Sequence, residues 1–213
     1  MGNHENNTTH RVFCDGLNFF GGVQMKKGMI FIDGSNVFFD WGKANPGKNM
    51  DVEKYINLVK GKYPNVEFIR TYYFTSETDN NKGFLQQINK LPYCQVVTGR
   101  LQDKTIRIEA KHGLTCQECN KPVTGQIVTQ TDKGTDVNIA VEMLKHAYAN
   151  SYDLAVLISR DADFVGVVKI IKNLGCNVEI VLFEASRGNA QELSAHVDNV
   201  MLIESAEYSL CER

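Results

Sequence analysis

The run of residues 154–159, LAVLIS, places the strongest constraint on the fold of this chain. It is apolar almost throughout instead of alternating between apolar and polar side chains. A strand of this kind is covered on both faces, as strands are in parallel sheets that have helices on each side. We therefore predict an α/β domain with a mainly parallel sheet and with this strand at its centre.

Shorter apolar runs and helical periodicities alternate around this strand. Apolar side chains three and four residues apart indicate amphipathic helices, and Asp51 and Thr135 stand where two of these helices need a cap. A further apolar run follows most of the helices, which is typical of strands joined by crossover helices. The predicted strands are residues 29–32, 66–74, 94–97, 154–159, 178–183 and 200–203, and the predicted helices are about 51–63, 82–91, 135–149, 164–174 and 190–196.

Residues 100–133 interrupt this alternation. They are rich in charge and contain TIRIEA and CQEC, which predicts an inserted hairpin or small knuckle instead of another strand–helix unit. A length of 213 residues is enough for one well-buried domain. We expect that domain over residues 29–204, with an N-terminal appendage at 1–28 and a C-terminal tail at 205–213.

Composition and charge exclude several classes of protein. The formal net charge of -2 argues against a protein that holds nucleic acid by bulk positive charge, so any polyanion site must be local. The chain has no run of eighteen apolar residues, and its first residues have neither the basic start nor the apolar middle of a signal peptide. We expect a cytoplasmic protein whose six cysteines are reduced and serve in packing or in a metal site.

An Asp-Gly-x-Asn motif occurs twice, as CDGLNFF at residues 14–20 and as IDGSNVFF at residues 32–39. The second copy follows a predicted buried strand, which places Asp33 at the carboxyl end of that strand, where open α/β sheets bind ligands. The first copy follows a polar start, so we do not expect Asp15 in a site. An edge strand or a swapped element that contacts a partner chain is the alternative for the first copy.

Four aspartates fall at positions that the predicted sheet brings together. Asp33 follows the first strand, Asp136 lies in the first turn of a helix, and Asp161 and Asp163 follow the LAVLIS strand. If the two strands are neighbours, these carboxylates form one acidic cleft. Because gathered carboxylates repel one another, a divalent cation such as Mg²⁺ or Mn²⁺ is the expected ligand.

Each of these residues also has a structural interpretation. Asp33 and the glycine after it are a common turn pair, and Asn36 is a good helix cap. Asp136 gains from the helix dipole, although the helix face that it shares with apolar residues directs it toward the sheet. Asp163 could cap the helix that follows it, whereas Asp161 has no such role and is the better candidate for a metal ligand.

Three segments closely resemble the NYN-domain family of PIN-like nucleases, in its LabA-like bacterial branch. They are FIDGSNVFF (31–39), KGTDVNIAVEML (133–144) and YDLAVLISRDADFVGVVKIIKNLGCNVEIVLF (152–183), and the resemblance runs from about Met29 to Ile203. It implies a three-layer PIN-like, Rossmannoid fold. It also implies a metal-dependent ribonuclease, an endonuclease that hydrolyses RNA phosphodiester bonds.

The resemblance also implies roles for individual residues. Asp33, Asp136, Asp161 and Asp163 match the family's catalytic carboxylates and would bind Mg²⁺ or Mn²⁺, and Asn36 would orient a water or the scissile phosphate. The family's loop commonly reads Ser-Gly-Asp-Gly-Asp-Phe, and this chain has Arg160 and Ala162 at the two glycine positions. Arg160 therefore adds a cation and a larger side chain beside the site.

Polar and basic residues around the predicted site are the candidate substrate contacts. Scattered basic residues are as often only a solvated surface. RNA is the expected partner, DNA is the alternative because carboxylates act on either phosphodiester, and a homodimer is possible since PIN-like domains often pair. The candidate contacts are Ser35, Arg100, Lys133, Ser159, Arg160 and Arg187.

Cys116 and Cys119 have the spacing of half a zinc ribbon. A second Cys-x-x-Cys pair is absent from the chain. His112, Cys94 or the cysteine pair of a second chain could complete a Zn²⁺ site, and a plain reduced turn is the alternative.

Two other functions compete with the ribonuclease. One is a catalytically silent member of the same fold that binds RNA or a protein partner in a regulatory role. The other is a nucleotide-binding or phosphatase-like protein, but the chain has no glycine-rich phosphate loop and no second Asp two residues after Asp33. The complete set of four carboxylates favours the nuclease.

Overall fold

A seven-stranded sheet forms the middle layer of the protein, which a computed structural model describes over residues 25–109 and 113–213. The strands are β1 (Lys26–Asp33), β2 (Val66–Ser76), β3 (Cys94–Ile108), β4 (Gly125–Lys133), β5 (Leu154–Ile158), β6 (Asn177–Phe183) and β7 (Asn199–Ile203). The α-helices are α1 (Gly34–Ala44), α2 (Val52–Gly61), α3 (Lys82–Asn89), α4 (Thr135–Tyr148), α5 (Val165–Asn173) and α6 (Gln191–Ser194). Short 3₁₀ helices lie at Ala162–Phe164, Glu184–Asn189 and Ser205–Cys211.

The strand order in the sheet is β4-β3-β2-β1-β5-β6-β7, and every neighbouring pair is parallel except β3 and β4. All five residues of β5 are buried, which agrees with a strand covered on both faces. The middle strand of the seven is β1 and not β5. The two are direct neighbours, with Ile32 opposite Ile158, so their carboxyl ends lie side by side.

Alternate residues of β1 face two separate hydrophobic cores. Ile30 and Ile32 belong to the core that β1 shares with α1, α2 and α3. Met29 and Phe31 belong to the core that it shares with α4, α5 and α6. Side chains along a strand alternate between its faces, so one apolar run supplies both cores. The predicted α/β fold with three layers is confirmed.

The inserted segment is a long antiparallel hairpin. The first part of β3, Cys94–Gly99, pairs with β2, and the second part, Arg100–Ile108, pairs with β4. The sequence predicted a strand that ended at residue 97. The strand is longer because the alternating residues TIRI continue it beyond the body of the sheet, where its partner is β4.

The C-terminal residues pack onto the domain. Tyr208 and Cys211, in the last 3₁₀ helix, are buried in the core that contains α1 and α2. The backbone N–H of Asp51 donates to the carbonyl of Cys211 at 2.7 Å. The first Asp-Gly-x-Asn motif, with Asp15, lies outside the described residues. No helix over residues 25–109 and 113–213 is long and apolar enough to span a membrane.

Candidate active site

Asp33 ends β1 and caps α1 with a side chain that is only 2% exposed. Its Oδ1 accepts a hydrogen bond from the backbone N–H of Asn36 at 3.0 Å. Its Oδ2 accepts from the Asn36 side-chain amide and, at 3.0 Å, from the hydroxyl of Ser159. Burial raises the pKa of Asp33, and these donors oppose that rise. Asp33 is therefore the cap, and Asn36 is not, contrary to the structural interpretation drawn from sequence.

Gly34 is the first residue of α1 and not part of a turn. A Cβ at this position would lie 2.7 Å from the carbonyl oxygen of Phe74 and 2.7 Å from the ring of Tyr73. The glycine of the motif is thus required by the close approach of the start of α1 to the end of β2. That packing places Asp33 at the end of the sheet.

Ser159 connects the two neighbouring strand ends. It is buried directly after β5, donates to Asp33 and accepts a hydrogen bond from the backbone N–H of Asp161 at 3.2 Å. The Asp161 side chain accepts from the backbone N–H of Asp163 at 3.0 Å and caps the 3₁₀ helix at Ala162–Phe164. The expectation that Asp163 caps the following helix and that Asp161 has no such role is wrong. The chain enters this helix two residues earlier than the sequence suggests.

Asp136 lies in the first turn of α4 and faces the same region. Burial raises its pKa first, followed by the negative charges of Asp33, Asp161, Asp132 and Asp163. The predicted cap Thr135 is wrong, because Gly134 takes the cap position in a left-handed conformation with φ of 86°. Thr135 is buried and donates to Asp132 at 2.7 Å. The four predicted carboxylates thus interact electrostatically at one end of the sheet.

The NYN domain family model matches residues 27–204, which is most of the chain. The chain belongs to the NYN-domain family. NYN domains are part of the PIN-like nuclease superfamily, so the predicted family is confirmed, while its LabA-like branch stays a prediction. Among curated proteins none matches this chain.

A solved structure supports the fold of this NYN domain. It is that of a protein of unknown function from Vibrio parahaemolyticus, which is 16% identical, with a TM-score of 0.61. The match covers 91% of this chain and 100% of the other. At this identity the likeness concerns the fold alone.

The donor set of this NYN domain suits a hard divalent cation. Carboxylate oxygens are the ligands that Mg²⁺ and Mn²⁺ prefer. Burial first, and then the like charges around it, raise the pKa of Asp136, and a cation would neutralise those charges. In the present arrangement, however, no three His, Cys, Asp or Glu side chains among the described residues form a group that could hold a metal ion. The carboxylate of Asp33 is engaged by Asn36 and Ser159. The carboxylates at this end of the sheet are thus suitable ligands for the cation, and in this structure the carboxylate of Asp33 is hydrogen-bonded to protein groups instead.

Arg160 connects the site to α1. Its Nε donates to Asn36 Oδ1 at 3.0 Å and lies 3.3 Å from Asp40 Oδ1, an ion pair without the geometry of a hydrogen bond. Its guanidinium carbon lies 5.3 Å from the centre of the Phe39 ring. The residue at the family's glycine position therefore holds Asn36 from the side opposite Asp33.

Asp40 is a site residue that the sequence analysis missed. It is buried, burial raises its pKa, and Arg160 opposes this rise. The signal was present in the helix spacing. Asp33, Asn36 and Asp40 are separated by three and four residues, which places them on one side of α1.

An open cleft of about 520 Å³ adjoins the acidic residues. Its walls are Asn36, the loop of residues 160–162, and residues 188, 189, 191 and 192. Arg187 is exposed in the 3₁₀ helix that also carries residues 188 and 189. Ser35 is also exposed, in the first turn of α1, whereas Ser159 is buried and holds Asp33. The cleft is open to solvent beside Asn36 and Asp161, whereas Ser159 supports the site from within the protein.

Arg100 and Lys133 lie on the other side of the acidic centre. They are paired residues at the start of the β3–β4 hairpin, and both are exposed. Paired residues of antiparallel strands project to the same face, so their charges lie together. Lys133 also directly precedes the cap of α4, the helix that carries Asp136.

The Cys116–Cys119 pair lies at the far tip of this hairpin. Cys94 begins the 15-residue strand β3, which at about 3.3 Å per residue puts it on the order of 40 Å from that tip. Cys94 is therefore wrong as a completing zinc ligand. His112 lies outside the described residues.

Proposed function

We propose that this NYN domain is a metal-dependent ribonuclease, an endonuclease of the LabA-like branch that hydrolyses RNA phosphodiester bonds. The observation that carries the proposal is that Ser159 links Asp33 and Asp161 at neighbouring strand ends, while the negative charges of Asp33, Asp161 and Asp163 act on Asp136 at the start of α4. Membership of a PIN-like nuclease family supports the reaction class.

Mg²⁺ or Mn²⁺ would be held by Asp33, Asp136 and Asp161, with Asp163 at the rim. A cation bound there supplies a water of lowered pKa and stabilises charge on the leaving oxygen. Ser159 orients the carboxylate of Asp33, to which it donates, and fixes the backbone of the Asp161 loop, from which it accepts.

Asn36 would orient the attacking water or the scissile phosphate through its amide. Arg160 fixes which way the Asn36 amide points. Its Nε donates to the amide oxygen, so the amide nitrogen faces Asp33. Its guanidinium also lines the cleft and offers positive charge to a phosphate. Arg160 is thus a positioning residue for Asn36 and a candidate substrate contact.

The basic residues flank the acidic centre on two sides, with Arg100 and Lys133 at the hairpin and Arg187 beyond the cleft. A polyanion that crosses the carboxylates would meet positive charge before and after them. RNA is the substrate that we infer, with DNA as the alternative. We infer a cytoplasmic location, in agreement with five cysteines that are free thiols in the described part of the chain.

A catalytically silent RNA- or protein-binding module is the second candidate. One observation favours it: Arg160 stands where the family's loop commonly has glycine. A side chain of this size could restrict access to the centre.

The deciding experiment is cleavage of a labelled RNA of mixed structure in Mn²⁺, in Mg²⁺ and in EDTA, alongside a DNA of equivalent sequence. Asp161→Asn and Asp33→Asn remove one charge each with little change in shape. Asp79→Asn is the matched control, because Asp79 lies before α3 with a side chain that is 95% exposed. Thermal melts establish that each variant is folded.

Metal-dependent cleavage that Asp161→Asn and Asp33→Asn abolish, and that Asp79→Asn retains, supports the nuclease. RNA binding without cleavage by the folded wild-type protein supports the silent module. Cleavage that persists in EDTA contradicts the metal-dependent mechanism.

A further inference from the structure

The Cys116–Cys119 segment forms a tight knuckle at the tip of the β3–β4 hairpin. The backbone N–H of Asn120 donates to the carbonyl of Cys116, and the N–H of Cys116 donates to the carbonyl of Lys121, both at 2.9 Å. Asn120 has a φ of 52°, a left-handed conformation that Asn tolerates better than most residues. The turn that presents the two cysteines is therefore closed by backbone hydrogen bonds.

Cys116 and Cys119 lie in this one turn, and neither is in a disulfide. Cys119 is exposed and Cys116 is half-buried, so an ion can reach both thiols from solvent. Two cysteines at this spacing on a tight turn can bind one tetrahedral metal ion, and the thiolate is the form in which cysteine binds metals.

This pair supplies only half of the usual zinc coordination. Structural Zn²⁺ sites take four ligands, most often cysteine and histidine. Cys176 and Cys211 are buried in the two cores of the domain, and Cys94 lies at the opposite end of β3. Over residues 25–109 and 113–213 no third His, Cys, Asp or Glu joins the pair in a metal group.

The hairpin beside the knuckle has an apolar surface without a partner in the described chain. Ile106 and Ile127 are directly opposite on β3 and β4 and are 45% and 49% exposed. Leu114 and Val123, which flank the knuckle and are joined by a backbone hydrogen bond, are also exposed. The strand β4 is the edge of the sheet. Exposed apolar side chains on an edge hairpin are typical of a surface that another chain covers.

We propose that Cys116 and Cys119 form half of a structural Zn²⁺ site, and that the same two residues of a second copy of this chain complete it. A twofold axis through the metal brings two identical knuckles together and supplies four thiolates. The same axis brings the Ile106–Ile127 surfaces of the two hairpins near each other. The incomplete ligand set and the exposed apolar surface then have one common explanation.

The test measures zinc content and molecular mass on the full-length protein, purified under reducing conditions and reconstituted with ZnCl₂. We expect one Zn²⁺ per two chains and a dimer by native mass spectrometry and light scattering. A strong chelator should remove the metal and convert the dimer to monomers. Cys116→Ser and Cys119→Ser should each lose the zinc and the dimer, while Cys94→Ser, the matched control, should keep both.

A second variant tests the apolar surface separately. Ile127 is exposed, so Ile127→Lys should fold, and it should weaken dimerisation by at least tenfold at the same zinc concentration. One zinc per monomer, no retained zinc, or a dimer that survives the chelator at its full mass would overturn the proposal. Since no readout is cleavage, this test is independent of whether the domain is a nuclease.

Discussion

The acidic end of the sheet and the tip of the β3–β4 hairpin both gather candidate metal ligands, but different parts of the chain position them. Asp33 is held by Asn36 and by Ser159, which is 126 positions away in the chain. The knuckle is closed by hydrogen bonds between residues at most five positions apart. The first site depends on the whole fold, and the second depends mainly on its own turn.

This difference has an energetic consequence. The acidic site buries a carboxylate and holds like charges close together, which lowers the stability of the folded domain. Binding of a cation, protonation or substitution by a neutral residue would remove part of this destabilisation. The cysteine pair is exposed and incurs little such cost. We therefore expect substitutions at the acidic end to change both activity and stability, and substitutions at the knuckle to change metal content and assembly.

The largest expected effect is on catalysis at the acidic end. Loss of residues that only support metal ligands typically costs 10- to 100-fold, so loss of a ligand itself should cost more than about 100-fold in kcat. We expect this result for Asp161→Asn, measured in Mn²⁺ with Asp79→Asn as control. A loss below tenfold in a folded variant would remove Asp161 from the proposed ligand set.

The next effect concerns Gly34, which allows the start of α1 to pack closely against β2. In Gly34→Ala the new Cβ would overlap the Phe74 carbonyl, and we expect the free energy of unfolding to fall by about 1–3 kcal/mol. Gly125→Ala, at the tip end of β4, is the control, since nothing lies within 4 Å of the added Cβ. Urea unfolding measures both. Equal stabilities of the two variants would show that the acidic end is less tightly packed than its geometry indicates.

The sequence predicted much of this arrangement because parallel strands leave regular signals. The apolar runs of β1 and β5 identified the strands, and the neighbouring strands then brought Asp33 and Asp161 together. The capping roles of Asp161 and Gly134 were missed because they depend on where a helix starts, to within one or two residues. The helix spacing places Asp40 on the side of α1 that carries Asn36, but its partner Arg160 lies 120 positions away, and no local pattern shows which buried carboxylate meets which cation.

Arg160 provides a smaller effect that separates positioning from charge. Arg160→Ala removes the donor to Asn36 and leaves Asp40 buried without its cation, so we expect about a tenfold loss in kcat and some loss of stability. Arg160→Lys keeps the positive charge but lacks the Nε that contacts both Asn36 and Asp40. Relative to Arg160→Ala, we expect it to restore stability more fully than kcat. Cleavage kinetics and thermal melts of both variants measure the two quantities. Equal recovery of both quantities would contradict a positioning role.

The pH dependence of stability is a further measure of the cost at the acidic end. The pKa of Asp136 is raised above its ordinary value of 3.8, so the folded protein binds this proton more tightly than the unfolded chain does. The contribution of Asp136 to stability therefore falls as pH rises from that ordinary value through the raised pKa. In metal-free melts at several pH values, Asp136→Asn should flatten the profile and be relatively more stable at neutral pH. If the variant's profile ran parallel to that of the wild type, burial and like charge at Asp136 would not contribute to the pH dependence.

The smallest expected effect is at the knuckle. In metal-free protein kept in a chelator, Cys116→Ser and Cys119→Ser replace exposed or half-buried thiols far from both cores, and surface substitutions of this kind usually change stability by less than about 0.5 kcal/mol. We expect urea unfolding curves that coincide with that of the wild type. If either variant instead destabilised the metal-free domain by more than about 1 kcal/mol, the knuckle would be coupled to the fold as the acidic end is, and the contrast between the two sites would fail. Coincident curves without metal, together with loss of zinc when metal is supplied, would show that the hairpin tip is a local binding element carried by the domain.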